Sequence, residues 1–354
     1  MRIGVPKEIK ILEGRIALIP DAVADLVQHG HEVFIEHDAG VLSGYSDENF
    51  RQAGAQIVPD AKALYDVGEM IVKVKEPQPS ELELLRSDHI LFSYLHLAAE
   101  VELMKSLQQI GLTAVAFETV QLPDGQLPLL APMSDVAGRV SIQVGTHLLH
   151  SPQGGRGILL GGLPAAERGR VVILGAGVAG GNAALYAANI GAEVVVFDRN
   201  RTKLERMRAL GHNVTALYPY AHSLVEHVKH ADLLIGAILL TGERAPKIVT
   251  ADMVRSMKKG SVIIDISVDQ GGCVETTRPT NYEHPTFEWE GVIHFGVTNM
   301  PGAVPRSSSQ ALSASLIRYV LRLTEFNWQD QHPDLAAGIN VKQGRIVHPA
   351  LQNL

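Results

Sequence analysis

Two sets of residues have the types and spacing to do chemistry. In the first, an apolar run over 171–174 leads into Gly175-x-Gly177-x-x-Gly180, and a second run over 194–197 ends on Asp198. Glycine is required for a different reason at each position. Gly175 permits a tight strand-to-helix turn, Gly177 has no Cβ to hold a pyrophosphate away, and Gly180 lets helix and strand pack closely. The phosphates then rest on unpaired N–H groups at the helix N-terminus. Asp198, about 20 residues on, is placed to accept both ribose hydroxyls and to repel a 2′-phosphate, which favours NAD over NADP although Arg199 is adjacent. The second set is Arg15, Lys75, His96 and Asp269. Singly, a loop arginine, a strand-edge lysine, a strand histidine and an aspartate before Gly-Gly have ordinary structural explanations. Together they fall at predicted crevice edges, where open α/β sheets bind ligands.

The elements that must position them follow from apolar periodicity and turn residues. Strands are predicted at 2–6 and 32–36, with a helix between them that Pro20 and Asp21 start and Gly30 ends. Further strands are predicted from 70, over 90–97 with His96 near the C-terminal end, and at 114–118. A helix over 133–150 leads into the glycine-bearing half. There, strands near 214–217, 231–238 and from 261 alternate with helices over 202–210 and 250–258, and Asp269 sits just after the last of these strands. A strand at 292–298 leads to a long helix over 309–326, capped by Ser307, and then to a polar tail. That helix is expected to return to the first domain. The division is therefore 1–130 plus 307–354 for a substrate domain and 131–306 for an NAD-binding domain.

Composition narrows the class. With 46% hydrophobic and 19% charged residues the chain has ample material for two cores and does not resemble a disordered one. A net charge of −7 without a basic run gives no reason to expect nucleic acid. The uncharged run 171–192 is long enough for a membrane span, but its glycines and flanking β-branched strands argue for a nucleotide turn instead. The start MRIGVPKEIK reads as a charged strand rather than a leader. One cysteine, Cys273, excludes an internal disulfide and fits a reducing cytosol, and in its Gly-Gly-Cys turn it reads as a packing residue. The expectation is a cytoplasmic protein with no membrane partner and no metal.

The runs VKVKEP, LFSYLHLA, APMSDVAGR, LGAGVAG, MKKGSVIIDISVDQGGCVETTRPT and NMPGAVPR resemble the alanine dehydrogenase family along nearly the whole chain. The resemblance implies two Rossmann-like doubly wound α/β domains with the active site in the interdomain cleft, and reversible oxidative deamination of L-alanine to pyruvate and ammonia with NAD. It implies substrate binding by Arg15 and Lys75 and catalysis by His96 and Asp269, with Lys75 also stabilising charge on the carbonyl oxygen. It implies NAD contacts from Ser134, Val178, Ala179, Asp198, Lys203 and Leu239, from Ile266, Ser267, Val268 and Asp269, and from Val297, Thr298, Asn299 and Met300. The residue types suit this chemistry: an arginine can bind a carboxylate bidentately, and a histidine can move protons near neutrality. The family usually assembles as a hexamer, so a homo-oligomer is implied. The sequence departs from many members at Gly296, Thr298 and Ser307–Gln310. Alternative readings are a transhydrogenase-type NAD(H)-binding subunit, an opine or saccharopine-type dehydrogenase, and a non-catalytic NAD-binding protein.

Overall fold

The structure is a computed structural model, and it describes residues 1–238 and 245–352. The chain forms two compact units, Met1–Met133 with Gly302–Leu354, and Ser134–Pro301.

The first unit is built on β1 (Arg2–Val5), β2 (Glu32–Glu36), β3 (Gln56–Val58), β4 (Met70–Val72), β5 (Ile90–Ser93) and β6 (Thr113–Ala116). All six pair in parallel in the order β3-β2-β1-β4-β5-β6, so the strand order reverses between β1 and β4. Successive side chains alternate between two cores. Met70 and Val72 join Ile3, Val33 and Phe92 on one face, while Ile71 joins Leu91, Ala114 and Leu64 on the other. The helix Pro20–Gln28 begins with Pro20 at its first turn and buries Ala22, Val23 and Leu26 against the first core.

Here three sequence expectations need correction. The strand carrying His96 stops at Ser93, so His96 stands three residues beyond it, in the left-handed region at φ 50°. The long helix spans Pro305–Leu323 and starts at Pro305, after Val304, without a side-chain cap from Ser307. Proline's fixed φ suits the first helical position, so no serine cap is needed. The polar tail contains β14 (Ile339–Lys342) and β15 (Arg345–Ile346), which extend the sheet antiparallel from β6. The long helix lays Leu312, Leu316, Tyr319, Val320 and Leu323 on the first core. Its serines serve the loop after β1: Ser309 Oγ accepts the Ile16 N–H at 2.9 Å and Ser313 Oγ the Ile19 N–H at 3.0 Å.

The second unit repeats the plan with β7 (Arg170–Leu174), β8 (Glu193–Phe197), β9 (Val214–Leu217), β10 (Leu233–Gly236), β11 (Val262–Asp265), β12 (Thr286–Trp289) and β13 (Val292–Phe295). Its order is β9-β8-β7-β10-β11-β13-β12, with only β12 antiparallel. The strand order again reverses beside the glycine turn, between β7 and β10. No helix among the described residues is long and apolar enough to cross a membrane.

The glycine turn has the conformation its sequence requires. Gly175 has φ +97°, and a Cβ there would lie 2.5 Å from the Ala237 carbonyl oxygen. At Gly180 a Cβ would stand 1.8 Å from the Gly175 oxygen, whereas at Gly177 it would meet nothing within 4 Å. Gly180→Ala is therefore expected to lower the melting temperature sharply by forcing helix and strand apart, and Gly177→Ala to leave it nearly unchanged. A thermal-shift comparison showing equal losses in both variants would contradict this assignment.

Candidate active site

In the first unit, three of the four chemistry-bearing residues converge at the C-terminal edge of the sheet. Arg15 lies on the loop after β1 and is buried, contrary to the usual solvated fate of a loop arginine. Its Nε donates to Glu13 Oε1 at 2.6 Å and its Nη2 to Glu13 Oε2 at 2.5 Å, while Nη1 donates to the Met133 sulfur at 3.0 Å. Burial alone would raise the Glu13 pKa, but the hydrogen bonds and charge of Arg15 outweigh it and hold the carboxyl below its ordinary value. For Arg15, burial lowers and Glu13 raises, with a net increase.

Lys75 follows β4. Burial lowers its pKa, and the neighbouring Arg15 charge lowers it further. Its peptide N–H reaches both oxygens of Glu8 at 3.4 Å, and the Val74 N–H donates to Glu8 Oε1 at 2.5 Å. Glu8 is buried and its pKa raised, chiefly by that burial. Buried Lys73 stands 3.5 Å from Glu8 and donates to Glu81 at 2.9 Å, and the Tyr65 hydroxyl donates to Glu81 at 3.0 Å.

His96 stacks on Tyr94 with the rings 5.8 Å apart and 1° from parallel. The Tyr94 hydroxyl donates to the Leu129 carbonyl at 2.6 Å, and burial pushes its pKa up, so the phenol stays neutral. Tyr94 feels the charges of both Arg15 and Glu118, which ties Arg15 and His96 to one locale. Met133 and Leu129 thus border Arg15 and Tyr94, the first through its sulfur and the second through its carbonyl.

In the second unit, Gly177 precedes the helix Val178–Asn189, whose first N–H groups face the open side of the turn. Val178 is exposed and Ala179 partly so. Asp198 Oδ2 accepts the Ala176 N–H and Oδ1 the Asn200 N–H, each at 2.7 Å. Each oxygen keeps a further lone pair for a ribose hydroxyl. Lys203 is exposed on the helix Arg201–Arg208, where the Asn200 side chain caps the Lys203 N–H. Ser134 sits in the first turn of Ala131–Leu148; that helix touches the glycine-turn helix so closely that a Cβ on Gly138 would lie 2.2 Å from the Ala179 oxygen.

Asp269 is exposed on the 3-10 turn Val268–Gln270, beyond partly buried Ile266 and buried Ser267 and Val268. Val297 and Met300 are buried, leaving backbone for a ligand, while Thr298 is exposed and Asn299 partly so. The Tyr282 hydroxyl holds the Met300 carbonyl at 2.8 Å. Leu239 lies outside the described residues. The open Gly177 face, the helix N-terminus and the Asp198 carboxylate together fit NAD.

The sequence reading passed over several acidic residues that organise these loops: Glu8, Glu13, Glu118 and Asp265. Asp265, buried at the end of β11, accepts the Ser267, Cys273 and Val274 N–H groups at 3.1, 2.9 and 3.2 Å. Its pKa is raised by burial. Cys273 is a buried thiol whose pKa burial pushes up, in keeping with a packing role. The available signal was a charge closing an apolar strand, as Asp265 closes Val262–Asp265.

These features define a dinucleotide-binding protein of the doubly wound α/β class. The family models described as "Alanine dehydrogenase/PNT, N-terminal domain" and "Alanine dehydrogenase/PNT, C-terminal domain" match residues 4–137 and 141–349. The chain belongs to the alanine dehydrogenase/PNT family. It is 47% identical to the alanine dehydrogenase of Halomonas elongata over 99% of this chain and 96% of that protein. A solved L-alanine dehydrogenase structure matches 100% of this chain and 98% of its own at 51% identity, with a TM-score of 0.96. The transhydrogenase structure from Sinorhizobium meliloti matches 99% of this chain and 100% of its own at 26% identity, with a TM-score of 0.86.

The buried Glu13–Arg15 pair makes a stability prediction. Arg15→Met leaves a desolvated carboxylate and is expected to cost about 3–5 kcal/mol, whereas the double variant Glu13→Gln with Arg15→Met should recover most of that. Chemical denaturation of the two proteins measures the difference, and an equally destabilised double variant would refute the pairing as the cause.

Proposed function

We propose that this protein is an NAD-dependent alanine dehydrogenase, catalysing the reversible oxidative deamination of L-alanine to pyruvate and ammonia. The observation that carries the reading is whole-length similarity to alanine dehydrogenases, 51% over the whole chain for one solved structure against 26% for a transhydrogenase. It is supported by Arg15, Lys75 and His96 converging at one sheet edge. In this reading the unit Met1–Met133 with Gly302–Leu354 takes the amino acid and the unit Ser134–Pro301 takes NAD.

Each residue's part follows from its chemistry. Arg15, permanently charged and oriented by Glu13, binds the substrate carboxylate. Lys75 polarises the carbonyl or carbinolamine oxygen as negative charge develops there. His96 takes and returns the protons that accompany water attack on the imine, and Asp269 orients that water or the substrate ammonium. Gly175, Gly177, Gly180, Val178, Ala179, Asp198, Lys203, Ser134 and the segments 266–269 and 297–300 hold the cofactor. When bound, NAD supplies the acceptor for the hydride leaving Cα. The protein acts in the cytoplasm as a homo-oligomer, hexameric as is usual in the family, which light scattering on the purified protein tests.

Mixing the protein with NAD and a panel of small L-amino acids at alkaline pH is expected to give NADH absorbance led by alanine, with pyruvate plus ammonia consuming NADH in reverse. Hydride exchange between nucleotides without turnover of any amino acid would instead indicate a transhydrogenase-type subunit. The lowered Lys75 pKa means that its ammonium is lost at a lower pH than an ordinary lysine's. Competitive acetylation followed by mass spectrometry of the Lys75 peptide is therefore expected to give a midpoint below about 10.4. A midpoint at or above that value would falsify the role assigned to burial and Arg15.

A further inference from the structure

We propose that Glu118 is the positioning residue for His96, fixing the imidazole through the backbone of residues 95 and 96. The inference rests on the reading of His96 as the group that moves protons. Glu118 lies just past β6, in the turn Phe117–Thr119, and the β5–β6 register pairs Ser93 with Ala116. Two residues beyond that pair, its carboxylate meets the chain leaving β5. Oε1 accepts the His96 N–H at 2.6 Å, and both oxygens receive the Leu95 N–H, at 3.2 and 3.3 Å.

Two successive N–H groups converging on one anion is the arrangement that a turn into the left-handed region produces, and His96 has φ 50°. A non-glycine residue holds that conformation only where its surroundings over-determine it. The carboxylate supplies this constraint from one side and the Tyr94 ring, parallel to the imidazole, from the other. Among the described residues the Glu118 carboxylate is the acceptor for both N–H groups, and without it relaxation to an extended backbone would carry the ring off Tyr94.

The same Oε1 is 3.9 Å from His96 Nδ1, so the carboxylate also faces the ring when it carries a proton. Glu118 is itself braced. Thr119 Oγ1 donates to the Gly338 carbonyl at 3.1 Å and accepts from Asn340 Nδ2 at 3.0 Å, tying the turn to β14. The antiparallel extension from the C-terminal segment thus has a reason to be there: it stiffens the turn that stiffens the histidine.

The test compares Glu118→Ala, Glu118→Gln and His96→Ala as full-length proteins. In Glu118→Ala, kcat for alanine oxidation is expected to fall by about 100-fold or more, the scale of a lost acid–base group, with the NADH dissociation constant within about twofold of the parent. The His96 Cε1–H resonance, assigned by its absence from His96→Ala, is expected to leave its ring-current-shifted position. Glu118→Gln keeps an oxygen for the His96 N–H, so it is expected to retain the resonance position and recover at least about tenfold in kcat over Glu118→Ala. An unmoved resonance or near-parental kcat in Glu118→Ala overturns the proposal. Should Glu118→Ala not fold, a displaced resonance in Glu118→Gln does the same. Normal turnover by His96→Ala would remove the underlying reading of His96, while the resonance would still report on positioning.

Discussion

A carboxylate withdrawn from water must be surrounded by donors, and at the C-terminal end of a parallel strand the nearest donors are the backbone N–H groups of the next loop. Among the described residues four carboxylates gather two or more such N–H groups, Glu8 and Asp265 buried and Glu118 and Asp198 partly so. Glu8 gathers the N–H groups of Val74 and Lys75, and Glu118 those of Leu95 and His96. In the second unit Asp198 gathers those of Ala176 and Asn200, and Asp265 those of Ser267, Cys273 and Val274. Each collar lies on or beside a loop that carries a candidate functional residue. The acidic residues therefore shape these loops from behind, and the candidate functional residues are the ones so presented.

The cations obey the complementary constraint. Lys73 sits between Glu8 and Glu81, and Arg15 is gripped by Glu13, so the buried charges in the first unit alternate in sign. An isolated buried cation would be too costly, and each partner also fixes its neighbour's geometry. The outcome differs by residue type. Arg15 stays charged and becomes a rigid fork, while Lys75, facing Arg15 and partly withdrawn from water, loses its proton more readily. One guanidinium of constant charge and one softened amine suit a substrate with a permanent carboxylate and a changing oxygen.

Much was readable in the one-dimensional chain where the determining physics is local. The glycine turn is an example: a positive φ at Gly175, a backbone clash at Gly180 and an open face at Gly177 are requirements of consecutive residues, and the spacing alone states them. The alternating cores follow in the same way from runs such as Met70–Val72, since a strand in a parallel sheet is covered on both faces. His96 shows where local reading stops. Its apolar neighbours continue the β pattern through Leu97, yet the strand ends at Ser93: the Tyr94 N–H still reaches the Val74 carbonyl at 3.2 Å, and the Leu95 and His96 N–H groups then go to the carboxylate of Glu118, distant in sequence.

The sequence by itself determined two doubly wound sheets and the nucleotide turn and singled out four candidate residues by type, because periodicity, glycine stereochemistry and side-chain type act over a few residues. Only the tertiary structure decided that the loop arginine is buried against Glu13, that the polar tail returns as an antiparallel edge, and that Asp265 and Glu118 anchor loops rather than face solvent. Those outcomes depend on which distant backbone donors a buried charge can reach. That is a property of strand order and register, and no window of neighbouring residues contains it.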